Sequence, residues 1–189
     1  REKGSLANLI VMSATPIPRS LALTIYGDLD VSIIDELPAG RMPIKTKWIK
    51  DEAERQKMYN FIAKKIKEGR QVYVVSPLIE ESETLNVKSA QETFEEYSGV
   101  FPDRRIGLIH GKQNYKEKQE VMSKFKKHEL DILVSTTVIE VGVNVPNASI
   151  MVISDAQRFG LSSLHQLRGR VGRGQYQSYC FLESETDNE

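Results

Sequence analysis

With 189 residues, 40% hydrophobic and 28% charged, the chain is long enough for one good core, or for one domain plus part of another. No apolar run approaches the roughly 20 residues that a membrane-spanning helix needs, and residues 1–8 lack the apolar stretch of a signal peptide, so neither the membrane nor the secretory route is expected. One cysteine, Cys180, cannot form an internal disulfide, and three histidines offer no zinc spacing. A net charge of zero means that any nucleic-acid contact must come from a local basic cluster. A cytosolic compartment is expected, with Cys180 as a core residue.

Residues 9–12 form the first short apolar run, read as a strand. A helix is expected from about Pro18, since proline suits a first helical turn, followed by strands around Ile33 and Ile44. Between those two strands, the prolines and glycine of Leu-Pro-Ala-Gly-Arg-Met-Pro read as a connector. The boundary falls near residues 41–45 and gives two units, 1–42 and 43–189.

Beyond the connector, Met58, Phe61, Ile62 and Ile66 recur at steps of three and four beside Lys64, Lys65 and Lys67, which is a helical stripe; Val121, Met122 and Phe125 form another. The runs 72–75, 106–109, 132–134 and 150–153 are continuously apolar, as strands covered on both faces are. This alternation predicts an α/β fold, a mostly parallel sheet with helices on both faces. The tail, 184–189, is expected to fray.

An open parallel sheet binds ligands at the carboxyl ends of its strands. The candidate segments are therefore 13–20, 110–113, 135–148 and, about a dozen residues beyond Ile153, 165–174. In the last, a helical reading puts Gln166, Arg170 and Arg173 on one stripe and Leu164, Leu167 and Val171 on another. Gly169 and Gly172 would each cost about 1 kcal/mol relative to alanine in a helix, and close approach of backbone or ligand is the expected compensation. Two adjacent guanidiniums suit a phosphate-rich ligand and can stabilise charge that develops during phosphoryl transfer; the alternative is a solvated basic face. At the end of the run 132–134, the hydroxyls of Thr136 and Thr137 suit a DNA phosphate, with helix capping as the alternative.

The string Gln-Leu-Arg-Gly-Arg-Val-Gly-Arg-Gly (166–174) resembles motif VI of superfamily-2 helicases. That resemblance implies an arginine-finger role for Arg173, a γ-phosphate or coupling role for Arg170, and a nucleotide contact for Gln166. Residues 135–148 are similar to motif V, which implies nucleotide contacts at Gly142 and Asn144. Asn144 departs from the Asp usual in relatives: it keeps an acceptor oxygen but loses the charge, and a turn-forming asparagine before Pro146 is the competing reading. Residues 13–20 look like motif III, which implies interlobe coupling through Ser13 and Thr15 and a DNA contact at Arg19; read alone, the segment is a capped turn.

Together with Ile-Asp-Glu-Leu-Pro-Ala-Gly-Arg (34–41), Pro-Leu-Ile-Glu-Glu-Ser-Glu (77–83) and Gly-Leu-Ile-His-Gly-Lys (107–112), these segments resemble RecG-type helicases over most of the chain. The resemblance implies a RecA-like second motor lobe of an ATP-dependent DNA translocase that remodels stalled forks and Holliday junctions. His110 and Gly111 join the DNA-binding candidates. ATP and Mg2+ would be held mainly by the first lobe. Branched DNA, that first lobe and a wedge domain are the expected partners, and a monomer the expected state.

No Gly-x-x-x-x-Gly-Lys-[Ser/Thr] occurs: Gly111-Lys112 is followed by Gln113 and has Ile106 where the first glycine should stand. Ile33-Ile34-Asp35-Glu36 imitates a magnesium-binding strand end, yet it follows 13–20 where the family's acidic motif precedes it, and it reads as structural. The chain alone is therefore expected neither to hydrolyse ATP nor to unwind DNA. The transcription-repair coupling translocase shares the arginine-glycine segment but not 34–41 or 78–83. An RNA-directed helicase and a non-catalytic nucleic-acid-binding module are the other readings. An oxidoreductase lacks its Gly-x-Gly-x-x-Gly.

Overall fold

The computed structural model describes residues 32, 34, 42–77, 83–136 and 145–184. They belong to one compact unit, Pro38–Glu189, apart from residues 32 and 34, which belong to Arg1–Leu37. Six strands and four α-helices follow one another among the described residues: β1 (Lys45–Ile49), α1 (Glu52–Lys67), β2 (Gln71–Val75), α2 (Glu83–Val100), β3 (Ile106–Ile109), α3 (Tyr115–Lys126), β4 (Ile132–Ser135), β5 (Ala148–Ile153), α4 (Leu161–Arg168) and β6 (Tyr179–Glu183). All strand pairs are parallel, in the order β1-β6-β5-β2-β4-β3. The expected α/β class is what the chain adopts. β6 and α2 are additions that the sequence pattern had not disclosed, and the strand at 9–12, the helix near Pro18 and the strand at Ile33 lie outside the described residues.

Local chemistry sets the helix limits. Asp51 caps α1 by accepting from the Glu54 N–H at 2.7 Å, and Lys64, Lys65 and Lys67 crowd its last turn, where the macrodipole favours cations. Gly69, at φ +80°, reverses the chain with its N–H on the Ile66 carbonyl, so that β2 can begin two residues later. Asn114 and Glu117 form a reciprocal capping box at the start of α3.

Alternate residues of the central strands feed two cores. Val72, Val74, Ile132, Val134, Ile150 and Val152 pack with Tyr59, Ile62 and Ile66 of α1, Tyr97 of α2 and Phe101 just after it. Tyr73, Val75, Leu133, Met151 and Ile153 pack on the other face with Met122 and Phe125 of α3 and Leu167 of α4. Cys180 is fully buried in this second core, and burial pushes its thiol up to about 12, so it is an inert apolar residue as expected.

The chain leaves β2 through α2 toward β3 at one side, whereas it leaves β5 through α4 toward β6 at the other. The switch point of the sheet therefore lies between β2 and β5, where Ser76 and Ser154 follow the strand ends.

Candidate functional site

The arginine segment begins on α4 and leaves it. The helix stops at Arg168. The Arg170 N–H then closes a tighter turn on the Leu167 carbonyl at 2.9 Å, and Gly172 adopts φ +76°. Gln166, Arg170 and Arg173 thus do not share one continuous helical stripe: the helix has ended at Arg168, and the left-handed Gly172 turns the chain again before Arg173. The apolar stripe behaves as expected: Leu167 and Val171 are buried and Leu164 partly so, anchoring the segment while Gln166 and Arg173 stay exposed.

Its location corrects a further expectation. A helix of eight residues after β5 carries the chain back along the sheet, and Arg170–Gly174 comes to rest at the amino-terminal edge. There Gly172 faces Ile44, just ahead of β1, and Gly174 faces Pro146, just ahead of β5. A Cβ at Gly172 would stand 3.1 Å from Ile44 Cγ1, and one at Gly174 would overlap the Pro146 carbonyl oxygen. Close approach therefore accounts for Gly172, while Gly169 only meets its own helix at 3.4 Å as a C-terminal cap. Gly174 is the tightest of the three.

Four arginines lie between residues 158 and 173, and they differ in partners. Arg158 pairs with Asp155 at 3.8 Å, and Arg168 contacts His165 Nδ1 at 3.2 Å. Among the described residues neither Arg170 nor Arg173 has a carboxylate within ion-pairing distance; Arg173 Nε makes one long bond, 3.4 Å, to the Gly169 carbonyl. Both guanidiniums lie close enough to Tyr73 to act on its hydroxyl: burial lifts that group to about 12, and Arg173 and Arg170 pull it the other way. Two guanidiniums with no described carboxylate beside them are suited to an anion.

The carboxyl edge holds the described DNA candidates. His110 follows β3, and the turn after it is closed by Gln113, which accepts from the His110 N–H at 3.1 Å and donates to the Leu108 carbonyl at 3.1 Å. Burial, together with the cations of Lys118 and Lys112, holds the His110 imidazole below its ordinary pKa. It therefore offers hydrogen bonds more than charge, and its Nδ1 finds no partner among the described residues. Gly111 is exposed, with open space beside it. Thr136 differs: it is 1% exposed and its N–H donates to the Ile109 carbonyl at 3.3 Å. This enclosure adds no support of its own to the expected DNA contact at Thr136.

Ser13, Thr15, Arg19, Thr137, Gly142 and Asn144 lie outside the described residues. Among the described residues no three His, Cys, Asp or Glu side chains converge as metal ligands, and no helix is long and apolar enough to cross a membrane.

Comparison with known proteins bears on the whole arrangement. Residues 53–175 match the helicase conserved C-terminal domain family. The ATP-dependent DNA helicase RecG of Staphylococcus epidermidis is 55% identical over 183 residues, 96% of this chain and 27% of that protein. RecG of Aquifex aeolicus is 58% identical over 180 residues, 95% of this chain and 22% of that protein, and RecG of Bacillus subtilis is 52% identical over 190 residues, 100% and 28%. The chain thus spans about a quarter of the length of the curated relatives it matches. A solved structure of RecG bound to a three-way DNA junction superposes with a TM-score of 0.76 at 48% identity, covering 94% of this chain and 23% of the other. The Lhr helicase of Mycobacterium smegmatis, bound to single-stranded DNA and AMP-PNP, shares the fold alone, with a TM-score of 0.55, 18% identity and coverage of 92% and 23%. On the extent of the family match and the likeness of its sheet, the chain belongs to the helicase conserved C-terminal domain family.

Proposed function

We propose that this chain supplies the second motor lobe of an ATP-dependent DNA helicase that remodels branched DNA in recombination and repair, with residues 1–42 the tail of the first lobe and the connector. The observation that carries the reading is the contrast within one segment: Arg158 and Arg168 are engaged, whereas Arg170 and Arg173 stand on a pinned loop with no described carboxylate beside them. Such guanidiniums fit the γ-phosphate of a nucleotide presented by a facing lobe, where ATP supplies the phosphoryl group that is transferred to water. Arg173 meets the charge that grows on the phosphoryl oxygens, Arg170 fixes the phosphate or couples it to lobe movement, and Gln166 orients the nucleotide. ATP and Mg2+ would be held mainly by the first lobe, as the likeness to RecG implies. The structure of RecG on a three-way junction supports branched DNA as the substrate class. His110 and Gly111, at the carboxyl edge, are the described candidates for its backbone.

In the full-length protein, Arg173→Ala should lower DNA-stimulated ATP turnover by on the order of 10³-fold, about 4 kcal/mol of transition-state stabilisation, judging from arginine fingers in general. A steady-state ATPase assay decides it: turnover within a factor of a few of the unsubstituted protein removes the assigned role. The 189-residue chain, whose sequence has no P-loop motif, should hydrolyse no ATP above a blank.

A further inference from the structure

The loop between α4 and β6 carries the two arginines, and Pro43 and Ile44, which lead into β1, and Lys45, its first residue, all touch it. Gln177 Nε2 donates to the Pro43 carbonyl at 2.8 Å and to the Ser178 carbonyl at 3.0 Å. Ile44 is the side chain against which Gly172 is seated. The Lys45 N–H donates to the Ser178 carbonyl at 3.0 Å. The far side of the loop rests on a wall: Gly174 lies against Pro146, and the neighbouring Asn147 is fixed by Arg70 Nη1 on its Oδ1 at 2.7 Å and by its own Nδ2 on the Gly69 carbonyl at 2.7 Å. Arg70 in turn covers the ring of Tyr176.

The Gln177 bond to Pro43 is the part of this arrangement that sheet formation does not require, since β1 and β6 already pair along their full length. It joins residues 134 positions apart, and it fastens the loop to the peptide that arrives from the connector. We infer that Gln177 is a positioning residue for Arg170 and Arg173: by tying Pro43 to the arginine loop, it makes residues 43–45 and the two guanidiniums move as one body. The inference rests on the proposed role of those arginines. Transition-state charge is met only within a narrow geometry, so a loop released at this end loses turnover more than nucleotide affinity.

The test uses the full-length helicase with Gln177→Met, which keeps length and neutrality but removes the donor, and Gln177→Glu, which sets an acceptor against the Pro43 carbonyl. Each is compared with Arg173→Ala and with the Gln177→Met and Arg173→Ala pair, with DNA-stimulated ATP hydrolysis resolved into kcat and KM for ATP. Both Gln177 variants should lose about tenfold in kcat while KM stays within about twofold, and the pair should be no slower than Arg173→Ala alone, because a positioning residue acts through the group it positions. Thermal melting confirms that each variant is folded at the assay temperature; should Gln177→Met melt below it, Gln177→Glu carries the comparison. Normal kcat in a folded Gln177 variant, or a pair slowed by the product of the two single losses, overturns the inference. Normal turnover in Arg173→Ala would instead overturn the reading on which it rests.

Discussion

Gly174 is the position at which a single methyl group should separate the arginine loop from its support. A Cβ there overlaps the Pro146 carbonyl oxygen, so something must move. Pro146 is poorly placed to yield. Val145 before it is buried, the Gln71 N–H holds the Asn147 carbonyl at 3.1 Å, and Asn147 Nδ2 reaches the Gly69 carbonyl at 2.7 Å and Gln71 Oε1 at 3.2 Å. The loop is thinner: Arg173 donates only one long bond. Gly174→Ala therefore overpacks the contact, at about 1–3 kcal/mol, and lowers the melting temperature by roughly 3–10 °C for a chain of this size. Gly111→Ala is the internal control, because nothing lies within 4 Å of its Cβ position, and its stability should change by less than about 0.5 kcal/mol. Urea unfolding of the chain compares the two. The reasoning fails if Gly174→Ala is as stable as the parent, or if Gly111→Ala is the more damaging.

Two further outcomes follow from buried polar groups. Gln71, 1% exposed, donates to the Phe125 carbonyl at 2.7 Å and the Leu130 carbonyl at 2.8 Å. Gln71→Leu takes the side-chain donor from both, though the Phe125 carbonyl keeps the His128 N–H at 3.0 Å, and should cost about 1–3 kcal/mol by denaturant titration; a loss under about 0.5 kcal/mol would contradict the assignment of those bonds. Glu183, 6% exposed, has its pKa raised by burial, which outweighs the Ser154 hydroxyl at 3.0 Å and the Arg55 guanidinium at 3.4 Å. Burial opposes the charge of Arg55 too, but there the Glu183 carboxylate and its acidic neighbours prevail and the guanidinium is raised, whereas at Glu183 burial prevails. A carboxyl titrating higher when folded lends stability below its unfolded pKa and loses it as pH rises through the folded one. Glu183→Gln should therefore match or exceed the parent at pH 7, by up to about 1 kcal/mol, and the difference should vanish or reverse below about pH 4. Melting curves across that range check it, and a variant less stable at pH 7 than at pH 4, each relative to the parent, would refute it.

The central strands were legible because residues buried on both faces leave continuous apolar runs, and α1 because its stripe is made of large side chains. α2 was hidden by its composition: along its inner face Ala90, Thr93 and Tyr97 are buried, and Thr93 serves as a hydrogen-bond partner of Ser76 at 2.9 Å, so no run of large apolar residues marks the period. β6 carries a short apolar run, residues 179–182, bounded by Ser178 and Glu183; Cys180 marks it as core, but four such residues alone do not tell a strand from a buried loop. The site candidates were legible as residue types, and their grouping was not. Sequence distance alone does not say that α4, one short helix, carries Arg170 and Arg173 back to the edge opposite His110 and Gly111, nor that Thr136 would be enclosed.

That separation constrains how the proposed motor works. The two candidate sets stand at opposite ends of strands four to six residues long, a distance of roughly 13–20 Å at about 3.3 Å per residue. Neither hydrogen bonds nor screened charges link groups directly across that span. What lies between them is the stiffest part of the lobe, with Val72, Val74, Ile132, Leu133, Val134, Ile150 and Val152 all at zero exposure. Close-packed strands of this kind transmit displacement with little deformation. On the proposed reading, a shift of the arginine loop as nucleotide is hydrolysed turns the sheet as a rigid body, and the loop after β3 moves with it. The lobe then needs no internal switch to carry the effect of ATP to DNA, only the fastenings at its amino-terminal edge.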